Sequence, residues 1–96
     1  MADSHSLTVT KDDGREVTAM GTMPYVIDAL SRYQQKIGER GPFTLIPTDE
    51  ALHLGQHRYE IRDAKNKFVC SGMRSTLTKL MPILETSYAE WLMVKP

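Results

Sequence analysis

One cysteine and three histidines are the side chains in this 96-residue chain best suited to nucleophilic or metal chemistry, so their spacing comes first. Cys70 would need an imidazole at its side to act as a nucleophile. His57 has the right strand parity, but Cys70 is expected opposite Ile61, and four strand residues at about 3.3 Å each leave His57 roughly 13 Å away. A buried structural cysteine is therefore expected. His53 and His57 are four apart, an interval that offers two metal ligands on one helix face, yet Gly55 interrupts any helix between them. No neighbouring cysteine or third histidine completes a zinc set. The acidic pairs Asp12-Asp13 and Asp49-Glu50 do not follow calcium-loop spacing and read as turn and helix-start residues. Glycine loops of the Walker or dinucleotide type are absent. The chain is thus expected to have no catalytic residues, no metal and no cofactor, and not to be an enzyme.

Charge gives a second candidate. Formal net charge is zero, so no global field draws the molecule onto a polyanion. The stretch "HRYEIRDAKNKFVCSGMRSTLTKL" nevertheless holds six basic residues, Arg58, Arg62, Lys65, Lys67, Arg74 and Lys79, against Glu60 and Asp63. The local balance is +4, so the remainder sums to −4 and the surface is polarised. These six are the candidate binding residues. The same side chains also suit the solvated face of a hairpin.

The elements that must carry them follow from periodicity. "LTVTKDDGREVTAMG" alternates and turns at Asp12-Asp13-Gly14, which places Val9 opposite Val17 and Leu7 opposite Ala19. Thr22 as cap and Pro24 in the first turn open a helix whose Val26, Ile27, Leu30, Tyr33 and Ile37 recur at helical spacing, with Gly38 as its stop. "PFTLIP" at 42–47 reads as a strand, and 48–54 as a short helical turn capped by Thr48 and stopped by Gly55. In the second hairpin, pairing Ile61 with Cys70 puts Tyr59, Ile61, Phe68 and Cys70 on one face and Glu60, Arg62, Val69 and Ser71 on the other, around a turn at Lys65-Asn66. Ser75 or Thr76 then caps a last helix with the stripe Leu77, Leu80, Met81, Leu84, Tyr88, Trp91 and Leu92, bent at Pro82. Ile83, Met93 and Val94 lie off that stripe and suit a second contact surface.

The predicted architecture is α+β in the order ββαβββα: an antiparallel sheet of about five strands, built from two hairpins plus one strand, under two main helices on one face. Residues 1–5 are expected to be a disordered tail and 6–96 a single domain. The two hairpin-helix units look alike, as an internal duplication would. The composition, 41% hydrophobic and 25% charged, is that of a globular domain rather than a disordered one.

"IGERGP" has a GxxG spacing that resembles the backbone-clamping loop of KH domains, although there the loop joins two helices and here Pro42 and a strand follow. It is read as a helix stop and turn. Helix, three strands and a second helix with a basic start are similar in order to double-stranded RNA-binding domains, and the hairpin-helix part resembles the DNA-binding arms of phage integrases. The alanine-rich second helix, its lysine cluster and a Gly-Pro-His-like loop are missing. What these resemblances imply is a nucleic-acid-binding module using hairpin 57–71 and the start of the last helix.

The main expectation is different: a non-enzymatic binding protein that docks on a larger protein or nucleoprotein, as a regulator or inhibitor of the kind phages and mobile elements encode. Homodimerisation through a strand edge or the last helix is expected, as is a cytoplasmic or host-cytoplasmic setting. A lone cysteine agrees with a reducing compartment. The apolar runs are too short for a membrane span, and "MADSHSLTVTKDDG" lacks the regions of a signal peptide.

Overall fold

Alternation pairs the first hairpin as expected, with Leu7 opposite Ala19 and Val9 opposite Val17. A computed structural model of the chain, which describes residues 4–11, 13–52 and 55–95, places this hairpin at one side of a single sheet. The elements are β1 (His5–Thr10), β2 (Glu16–Gly21), α1 (Met23–Tyr33), a 3-10 helix (Ile37–Arg40), β3 (Thr44–Ala51), β4 (His57–Arg62), β5 (Phe68–Met73) and α2 (Arg74–Val94). This is the α+β order ββαβββα. The five strands are antiparallel and lie in the order β2-β1-β5-β4-β3. β1 already begins at His5, inside the stretch read as a loose end.

Residues opposite one another share a face, so Leu7, Val9, Ala19, Ile61 and Cys70 all point to the same side of the sheet. There they meet Val26, Ala29 and Leu30 of α1 and Leu77, Leu80 and Leu84 of α2, and this cluster is the core. The helical stripe of α2 outruns the sheet: beyond Tyr88, Trp91 is half-buried and Leu92 is exposed.

Both hairpins close with the same pair of backbone hydrogen bonds. The Gly14 amide donates to the Lys11 carbonyl and the Lys11 amide to Arg15; likewise Asn66 donates to Asp63 and Asp63 to Lys67. The fourth residue must take a left-handed conformation, which Gly14 (φ 89°) and Asn66 (φ 64°) supply. The second turn is centred on Ala64-Lys65, one residue before the expected position. The hairpins sit side by side as β2-β1 and β5-β4, which preserves the likeness of the two units.

Four local expectations are corrected. The first helix ends at Tyr33 rather than at Gly38, because Gln34 turns inward and its amide bridges the carbonyls of Thr10 and Val69, each at 3.0 Å. The helical turn expected at 48–54 is strand as far as Ala51: β3 continues through a bulge after Pro47, and the Thr48 hydroxyl donates to the Arg58 carbonyl instead of capping. His53 and Leu54 lie outside the described residues. In the second hairpin Ile61 does face Cys70, but a bulge then sets Phe68 opposite Arg62, so Phe68 leaves the helix side and Val69 is fully buried in its place. Finally, β5 passes directly into α2 with Met73 at the N-cap, and Thr76 is a buried first-turn residue hydrogen-bonded to His5 Nδ1 at 2.8 Å. α2 carries Pro82 inside one element; the Thr78 carbonyl loses its amide partner there, and the Thr86 hydroxyl donates to the Pro82 carbonyl.

The GxxG pair has a packing role. A Cβ on Gly38 would stand 2.6 Å from the Ser87 carbonyl oxygen, and one on Gly41 2.4 Å from Cγ of Tyr88. Both glycines let the 3-10 helix lie directly on α2.

Candidate functional site

The six basic residues separate into three groups. Arg58 and Arg62 lie on the face of the sheet away from the helices, and both are paired: Arg58 Nε donates to Glu50 at 2.8 Å and Nη1 to Ser71 Oγ at 3.3 Å, while Arg62 holds Glu60 at 2.5 Å. The surrounding surface is a shallow polar depression of about 600 Å³ that includes Thr8, Thr18, Phe68 and Ser71. Lys65 and Lys67 are exposed at the hairpin tip. Arg74 and Lys79 sit on α2 at the other end of the hairpin, about 20 Å from that tip at 3.3 Å per strand residue. The fold does not gather the six into one patch.

Arg74 and Lys79 instead join residues not expected to act with them. β4 enters the sheet with His57 and Tyr59 two apart, and so on one face, the face that meets α2. On α2, Arg74 and Thr78 are four apart, as are Ser75 and Lys79, so two rungs of the same helix face stand above that floor. Between them lies an open groove of about 690 Å³, with Met73 at the strand-helix junction. Among the described residues no carboxylate lines it, and neither Arg74 nor Lys79 is in an ion pair.

The local potential there is positive for a further reason. The first amides of α2 have no intrahelical acceptor, and the Met73 side chain gives no cap hydrogen bond. The chemistry available is recognition of an anionic group, by a planar guanidinium fork and a point charge, beside a tyrosine and a methionine. In the sequence His57 stands out as a partner for Cys70, and Tyr59 as a core-face residue of its strand. Their shared parity next to the i, i+4 rungs at 74–79 was the signal for a joint surface.

A second surface is apolar. Ile83, Leu92, Met93 and Val94 of α2 are all exposed, Met93 to 84%. Cys70 is elsewhere: it lies fully buried between β1 and β4, and burial pushes its thiol up to about 12, with Arg40 pulling weakly the other way. His57 is exposed, so the two do not share a cleft. Among the described residues no group of three or more His, Cys, Asp or Glu is set to hold a metal ion, and no helix is long and apolar enough to cross a membrane.

The sequence missed a polar cluster. Arg40 on the 3-10 helix donates to Asp63 at 2.8 Å, to the Phe68 carbonyl at 2.9 Å and to the Gln34 side-chain oxygen, while Asp63 accepts the Lys65 and Lys67 amides at 2.9 Å. Its members come from three separate segments, so no local spacing announces it. The cluster fixes the hairpin turn and, through it, the strand that leads to the groove.

Comparison with protein-family models, with curated proteins and with solved structures gave no match, so the functional reading rests on geometry alone.

Proposed function

We propose that this chain is a non-enzymatic binding domain that docks on a larger macromolecular partner, a protein or a nucleoprotein, as a regulator or inhibitor. The observation that carries the reading is the groove between β4 and α2, which among the described residues has two cations outside any ion pair and no carboxylate. A site of that charge accepts an acidic side-chain cluster or an acidic chain end. Tyr59 and Met73 add the aromatic and adaptable apolar contacts that anchor protein interfaces. Exposed apolar residues at the far end of α2 support extended contact with a protein, and a second copy of the chain is among the partners an open sheet can take. A reducing, cytoplasmic setting belongs to the proposal and is supported by the single buried thiol.

Nucleic acid is the competing reading. A duplex backbone presents one continuous line of phosphates, whereas the basic residues here occupy three separate surfaces, with Arg58 and Arg62 already committed to Glu50 and Glu60. That dispersion favours a focused protein contact.

The test is affinity capture from the native cell with and without nuclease, comparing the natural chain with the double variant Arg74→Gln/Lys79→Gln. A partner retained after nuclease and lost with the variant supports the reading. Release by nuclease points to nucleic acid, and equal capture by the variant rejects the groove.

A further inference from the structure

The two edges of the sheet are not alike. On β3 the residues whose backbone groups point outward are Leu45 and Pro47, since Thr44 and Ile46 pair toward β4 opposite Arg62 and Glu60. Pro47 therefore removes a donor from that edge, a bulge follows it, and Asp49 and Glu50 come next. These are the devices by which proteins blunt an edge against pairing. β2 lacks both the proline and the bulge: Glu16–Gly21 pairs with β1 in unbroken register over its full length, and Glu16 is its one charged residue. The Lys11–Arg15 hydrogen bond sets the ladder, so the amides and carbonyls of Glu16, Thr18 and Met20 point away from β1. None of these three residues makes a backbone hydrogen bond to a described residue outside the ladder, and all three are exposed, Met20 to 67%.

We infer that two copies of the chain pair antiparallel through β2, about a two-fold axis at Thr18, to make one continuous ten-stranded sheet. In that register Thr18 meets Thr18 of the second copy, and Glu16 meets Met20. Every outward amide then finds an outward carbonyl, and the like-charged Glu16 side chains stay apart. On the helix side Val17 meets Ala19, which extends the apolar layer. The helices fit the same operation. α1 packs against both β1 and β2, so adding a strand at about 4.8 Å brings the two α1 helices side by side on one face of the joined sheet. A shifted register would either face Glu16 with Glu16 or leave outward groups unpaired. The interface does not involve Arg74 or Lys79, so it stands independently of the groove.

Light scattering coupled to size-exclusion chromatography, run over a concentration series, tests the pairing. The natural chain is expected to give twice the chain mass. Thr18→Pro should give a monomer with unchanged circular dichroism, because that amide has no partner within one chain and the other edge already tolerates a proline. Met20→Lys sets a lysine opposite Glu16 of the second copy and should tighten the dimer roughly fivefold through two symmetric pairs. Hydrogen exchange on the natural chain gives a readout independent of any variant: the Glu16, Thr18 and Met20 amides should gain protection with concentration, while Val17 and Ala19 are protected throughout. A monomer at millimolar concentration, a folded Thr18→Pro chain that remains dimeric, or edge amides that exchange freely in the dimer would each overturn the inference.

Discussion

Arg40 and Asp63 are 23 residues apart in sequence, and the guanidinium Nε of one stands 2.8 Å from the carboxylate Oδ2 of the other. Asp63 is nearly buried, with 5% of its side chain exposed, against 29% for Arg40. The pair fastens the 3-10 helix to the turn between β4 and β5, and the Ala64 amide closes the same contact by donating to the Arg40 carbonyl. Arg40→Ala strands a buried carboxylate and frees the acceptors on Gln34 and Phe68. We expect a loss of about 3 kcal/mol in urea unfolding. The double variant Arg40→Ala/Asp63→Ala should lose less than the sum of the two single changes, since either one alone abandons a partner.

The same carboxylate sets an acid limit. Burial pushes Asp63 upward, but the Lys67 amide, the Arg40 guanidinium and the Lys65 amide outweigh it and hold the group below the ordinary aspartate value. A depressed folded-state pKa gives stability that is present above the unfolded value of about 3.9 and lost as pH falls through the folded value. Denaturation midpoints should therefore show Asp63→Asn well below the natural chain at neutral pH, with the gap closing below about pH 4. A gap that stays constant into acid would contradict this.

Much of the fold was legible because it depends on patterns carried within each segment. The Val9–Val17 and Ile61–Cys70 registers, the Thr22-Pro24 helix start and the apolar faces of both helices are consequences of period two or period 3.6 over a few residues. What failed depends on tertiary partners. Gln34 leaves the helix because two carbonyls across the sheet need its amide, and Phe68 changes face because a bulge inserts one residue that no alternation shows. The Thr48 segment stays extended because β4 lies beside it: the Thr48 hydroxyl donates to the Arg58 carbonyl and Ala51 pairs with His57. The candidate site was half legible: the basic residues were visible, but their division among three surfaces, and the joining of Arg74 and Lys79 to His57 and Tyr59, required the sheet order.

Gly38 gives a packing test. The Ser87 carbonyl oxygen would be 2.6 Å from an added Cβ, and a backbone atom cannot swing aside as a side chain can. Gly38→Ala should cost about 2 kcal/mol by forcing the 3-10 helix off α2. Thermal melts of the variant against the natural chain measure it, and an unchanged midpoint would show that the contact yields.

Cys70 reports on global opening. Its thiol is fully buried and pushed up to about 12, so thiolate at the surface is scarce near neutral pH. Alkylation by a thiol reagent should be slow in buffer, rise in step with urea unfolding, and leave the folded chain unmodified. Rapid labelling without denaturant would mean that β5 opens locally.

The groove between β4 and α2 is tested most directly by nuclear magnetic resonance titration of the labelled chain with a glutamate-rich peptide and, separately, with a DNA duplex. Saturable shifts from the peptide are expected at His57, Arg74, Ser75, Thr78 and Lys79, abolished in Arg74→Gln/Lys79→Gln and unaffected by Lys65→Gln/Lys67→Gln. Shifts centred instead on hairpin 57–71, produced by the duplex with a log–log salt slope near −5 as about six phosphate contacts require, would contradict it.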